Sequence, residues 1–104
     1  MNVNEYGVVF VFFTAFDLSA FTTLKITFTK PDGSVLVVTS PDVSAPNTPY
    51  SSPGVMFPAN QYAQYTFKQG DVDQSGEWAA RVTYDVTSPA QQLISNIGTF
   101  QVGQ

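Results

Sequence analysis

The chain has no cysteine and no histidine, and its only cations are Lys25, Lys30, Lys68 and Arg81, against eight acidic residues. The missing cysteines exclude disulfides, thiol chemistry and thiolate-bound zinc or iron–sulfur sites. The missing histidines remove the usual general base near neutral pH and the commonest metal ligand, and with them Ser-His-Asp, Cys-His and zinc-hydrolase mechanisms. Catalysis by carboxylates alone stays open. The four cations are scattered along the sequence and form no basic patch to neutralise phosphates, so no nucleic-acid partner is expected. Charged residues make up 12% of the chain, about half the usual share. The surface must then be largely Ser, Thr, Gln and Asn, which repels neighbours weakly and suits a subunit covered by other subunits.

What is present suffices for a core. A chain of 104 residues is the size of one domain, here 1–104, and buries roughly 60–70% of the surface it would expose unfolded. With 43% hydrophobic residues, folding requires no disulfide and no metal, and no cofactor is expected. Residues 7–16 (GVVFVFFTAF) imitate a signal-peptide core, but residues 1–6 hold Glu5 and no Lys or Arg, so the positive n-region is missing. The run is also too short to span a bilayer, and its Val and Phe content favours a strand. The expectation is a mature, soluble chain without signal or membrane segment.

No apolar stripe of helical spacing occurs, and turn residues recur every 8–12 positions or so, the signature of a sandwich or barrel. Strands are expected at 8–13, 23–29, 35–39, 61–67, 77–87 and 93–102. The first is apolar throughout, which predicts cover on both faces. In the second, Leu24, Ile26 and Phe28 alternate with Lys25, Thr27 and Thr29, a half-buried pattern. Residues 17–20 form a turn or short crossover, Pro31-Asp32-Gly33 a tight turn, 70–76 a polar loop and 88–92 a hairpin loop. Residues 40–60 carry five prolines and read as a long surface loop with room for one short edge strand near 54–57. In 77–87, Trp78, Ala80, Val82, Tyr84 and Val86 share the buried face. The last strand changes phase near 96–98, which predicts a bulge. About seven strands around one tryptophan imply an all-β, immunoglobulin-like antiparallel β-sandwich, Ig-like in the broad sense because the paired cysteines are missing. Its expected core is Leu24, Ile26, Phe28, Trp78, Val82, Tyr84 and Phe100.

Asp71-x-Asp73-x-Ser75-Gly76 matches the opening of a calcium loop, but Val82 stands where the twelfth-position Glu belongs. The preferred reading is a solvated loop whose Asp side chains cap backbone amides, with no metal and no catalytic residues assigned. Asp32, Asp42, Asp71, Asp73, Glu77 and Asp85 could supply a glycosidase pair only by converging in a cleft. Trp78 and Tyr84 could form a sugar platform, but their register places them in the core. Interface candidates are Val9, Val11 and Phe13 in the uncharged first strand, and Tyr50, Phe57 and Tyr62 in or beside the Pro-rich loop, where an exposed aromatic would anchor a partner. The first strand is either central in its own sheet, the preferred reading, or covered by a partner.

Three segments stand together in order: Asp17-Leu18-Ser19-Ala20, then Phe28-Thr29-Lys30-Pro31-Asp32-Gly33-Ser34, then Gly70-Asp71-Val72-Asp73-Gln74-Ser75-Gly76-Glu77-Trp78 with Arg81-Val82-Thr83-Tyr84 after it. Across residues 17–102 the chain resembles the Ig-like N-terminal domain of phage baseplate upper proteins. The resemblance implies a non-enzymatic structural role in a virion tail or baseplate, homo-oligomeric, packed against other virion proteins, made in the host cytoplasm and needing neither nucleic acid nor membrane. The Pro-rich insertion exceeds that pattern. Other expectations are a tail adaptor, a tail-completion subunit, a capsid cement or decoration protein, and a carbohydrate-binding or adhesive Ig-like module.

Overall fold

The computed structural model describes residues 1–14, 17–19, 23–87 and 90–104, apart from the side chains of 86, 87, 90 and 91. Ala20 of the predicted turn, Ser88 and Pro89 of the predicted hairpin loop, and the Val86 side chain lie outside the described residues.

Alternation builds the larger sheet. Strand β2 (Thr23–Thr29) places Leu24, Ile26 and Phe28 fully inside. The Pro31-Asp32-Gly33 turn reverses the chain into β3 (Val35–Thr39): Gly33 takes φ +89°, its N–H bonds the Lys30 carbonyl, and the Lys30 N–H bonds the Ser34 carbonyl. The twelve-residue β8 (Gly76–Thr87) runs antiparallel along the other side of β2, from Thr23 opposite Asp85 to Thr29 opposite Ala79. Its second edge is shared by β9 (Ala90–Ile94) and β10 (Gly98–Val102). Between these, residues 95–97 stand opposite Arg81 and Val82 alone, a one-residue excess that is the predicted change of phase. Buried Ser95 takes up the slack. Its Oγ accepts the Val82 N–H at 2.8 Å and donates to the Asn96 carbonyl.

The second sheet has the order β1–β7–β4, with β1 (Val9–Phe13), β7 (Tyr62–Thr66) and β4 (Val43–Ser44). The two sheets close on one hydrophobic core, making an antiparallel β-sandwich. Phe28 sits at its centre. Its ring centroid lies 5.1 Å from Phe10, 5.3 Å from Phe67, 6.2 Å from Phe100 and 6.4 Å from Trp78, edge-on and tilted arrangements that rings prefer over face-to-face stacking. Trp78, Val82 and Tyr84 are buried with it, and Phe100, on edge strand β10, is half-buried against the same cluster.

Two expectations need correction. Ten strands are present among the described residues rather than about seven, because the last predicted strand divides and residues 40–60 hold, besides the expected short strand β6 (Val55–Phe57), β4 and the hairpin partner of β6, β5 (Tyr50–Ser52). Proline permits this hairpin because Pro53 and Gly54 fall at its turn, where Pro presets φ and Gly54 takes φ +78°. Finally, among the described residues β1 is an edge strand and not a central one. A run of apolar residues lacks the period that would distinguish the two positions.

Candidate interaction surface

The hydrogen-bond phase of β1 determines what its open side offers. At one end the Phe67 N–H bonds the Val8 carbonyl, and at the other the Thr14 N–H bonds the Gln61 carbonyl. In an antiparallel ladder such residues alternate with ones whose N–H and C=O both point away from the partner strand. Residues 8, 10, 12 and 14 therefore bond toward β7, and Val9, Val11 and Phe13 aim both backbone groups at the free edge. Their side chains occupy the outer face, with Val9 50% and Phe13 42% exposed and Val11 half-buried. Phe10 and Phe12 turn inward to the core cluster. No charge, proline or bulge blunts this edge, although natural sheet edges usually carry one of these.

A hollow of about 350 Å³ opens beside the strand, lined by Phe10, Phe12, Phe13, Gly98 and Phe100 among others. It lies between β1 and β10, the edge strands of the two sheets. Gly98 is required here by close approach, since a Cβ on it would come within 2.8 Å of the Phe12 ring.

The β5–β6 hairpin caps the far end of β1. Phe57 stacks on Phe13 with centroids 4.9 Å apart and planes 10° apart, Tyr50 stacks on Phe57 at 5.7 Å, and both rings meet Tyr62. The structure thus brings Phe13, Tyr50, Phe57 and Tyr62 into one cluster that continues into Val11 and Val9. Tyr62 is the exception among the interface candidates. It is 3% exposed, and its hydroxyl donates to the Thr48 carbonyl, so it supports the hairpin from beneath and presents no contact surface. Tyr50 and Phe57 are half-buried. The hairpin also exposes Val55 and Met56, the latter by 72%, two apolar residues outside the expected interface set.

The polar candidates are engaged one by one. Asp71 accepts from the Tyr65 hydroxyl and the Lys68 amide, Asp73 pairs with Lys30 at 2.9 Å, and Asp42 pairs with Lys68. Burial, then the bond to Asp71, push the Tyr65 phenol well above its usual range. Asp32 accepts from the Ser34 hydroxyl and amide, which lower its pKa to about 2. Glu77 and Asp85 take side-chain amide bonds from Gln101 and Gln92. Among the described residues, no three acids gather to hold a cation. Trp78 is fully buried under the Lys30 ammonium, with its indole N–H on the Gln74 carbonyl, and Tyr84 donates to the Asp17 carbonyl. Neither ring leaves a face on which a sugar could stack. Asp17 meanwhile caps the Ser19 amide, and Leu18 is buried. Comparison with family models, with curated proteins and with solved structures gave no match.

Proposed function

We propose that this chain is a non-enzymatic structural subunit of a tailed-phage virion, in the baseplate or as a tail adaptor or tail-completion subunit, and that it acts through protein–protein interfaces. The observation that carries the proposal is the bare apolar edge of β1, joined through the Phe13–Phe57 stack to an exposed hairpin tip. An edge of this kind templates strand pairing, and leaving it uncovered exposes the chain to aggregation. The weakly charged surface supports the same reading, as does the resemblance of the three ordered motifs to baseplate domains. The acidic residues support it too, because each is engaged by a local partner.

The test is quantitative mass spectrometry of purified virions from cells that make the protein. Peptides of this chain should co-purify in fixed ratio to other tail proteins. Their absence from virions, with the protein abundant in the lysate, would overturn the proposal. A ratio matching the major capsid protein would instead identify a capsid cement subunit.

A further inference from the structure

We infer that the free edge of β1 pairs antiparallel with β1 of a second copy of this chain, about a two-fold axis through Val11. The inference deepens the assembly reading above and rests on it for the need to cover the edge.

The register follows from the backbone phase. Val9, Val11 and Phe13 all direct N–H and C=O outward, so they must pair with residues of the same kind. A two-fold axis at Val11 sets Val9 opposite Phe13 of the second copy, Val11 opposite Val11, and Phe13 opposite Val9, and each of these pairs exchanges two backbone bonds. No outward group within the strand remains unmatched. The side chains also fit. On the outer face, small Val9 meets large Phe13, whose ring is already fixed by Phe57. On the inner face, Phe10 comes opposite Phe12, so the aromatic pairs that stabilise sheets form across the seam and close over the hollow between β1 and β10. The result is one continuous sheet in the order β4–β7–β1–β1–β7–β4.

Charge selects the same occupant. The strand VFVFF carries none, so a second copy brings no like charges against it, whereas an acidic or basic peptide would find no counter-charge along it. A two-fold contact uses one patch twice and closes on itself, so it ends at a dimer and builds no fibre.

A cysteine-free chain makes the test specific, because any introduced thiol is unique. In this register the two Val11 Cα atoms lie about 5.5 Å apart, within disulfide reach. The two Val9 Cα atoms lie about 14 Å apart, beyond it. Under mild oxidation V11C should give a covalent dimer, V9C none, and V37C on the opposite free edge β3 none. V9C/F13C should restore the dimer. Light scattering of the wild-type protein should show the mass rising from 11.3 kDa toward twice that with concentration, and V11K, with unchanged far-UV circular dichroism, should stay monomeric. A wild-type protein that stays monomeric at every concentration overturns the inference, as does V9C or V37C crosslinking as readily as V11C. If V11C dimerises but the protein is absent from virions, the dimer stands and the virion assignment falls. If virions contain the protein and V11C does not crosslink there or in solution, the reverse holds.

Discussion

The loop between β7 and β8 and the flank along β1 are built on opposite principles. In the loop, Asp71, Asp73 and Gln74 complete their hydrogen bonds within the chain, to Tyr65, Lys68, Lys30, Asp32 and the indole N–H of Trp78 in β8. Along β1, three residues leave both backbone groups unspent beside exposed apolar side chains. The loop carries the residues that look most like chemistry in the sequence, yet its bonding is finished. The strand looks like plain core, yet its bonding is unfinished. Residue type alone does not tell which groups folding leaves unsatisfied.

The largest expected effect tests the closed region. Trp78→Ala removes a buried ring, the support for Lys30 and the anchor on Gln74, and should cost about 3–5 kcal/mol, read by urea unfolding. A smaller loss would mean that the loop does not depend on the core beneath it. Next, Asp71→Ala leaves the Tyr65 hydroxyl and the Lys68 amide without their acceptor, and Ser95→Ala leaves the buried Val82 N–H unpaired. Each should cost about 1–3 kcal/mol, with dimerisation unaffected. By contrast, V11K, at a half-buried position, should cost about 1 kcal/mol, the centre of the range for point mutants, while abolishing association. If V11K unfolds the protein instead, the contrast between the two regions fails.

Two pH effects complete the series. Asp32 is held below its unfolded value, so its stabilising contribution is present above about pH 4 and is lost as pH falls toward about 2. The melting temperatures of wild type and Asp32→Asn should therefore converge across that window and differ above it. Tyr65 is shifted upward, so its contribution is full below about pH 10 and declines as pH rises beyond it. Tyr65→Phe should flatten that alkaline decline, followed by melting temperature.

Where one face of a strand is wet, the fold could be read directly. Leu24, Ile26 and Phe28 alternate with polar residues, and Trp78, Val82 and Tyr84 do so in β8, so their burial follows from the period alone. The phase change before β10 was visible for the same reason. Residues 8–13 gave no such signal. Their outward row, Val9, Val11 and Phe13, is as apolar as the inward one, so no period shows which face is the wet one. The hairpin was hidden by its composition: five prolines in 40–60 argue against strands, but Pro53 sits at the turn and the others flank the paired residues. The burial of Tyr62 depends on that hairpin folding over it, a non-local fact that no window around position 62 contains. The candidate site was thus legible as a set of residues but not as an edge, since edges are defined by which strand is missing alongside.

The stack of Phe57 on Phe13 separates fixed from adjustable parts of the molecule. Phe57 ends the hairpin on the side nearest the sheet, and Val55 and Met56 project beyond it. The stacked rings anchor the base of the hairpin, so insertions between Ser52 and Val55 should lengthen the tip without moving the sheets, and the exposed tip tolerates changes that the socket does not.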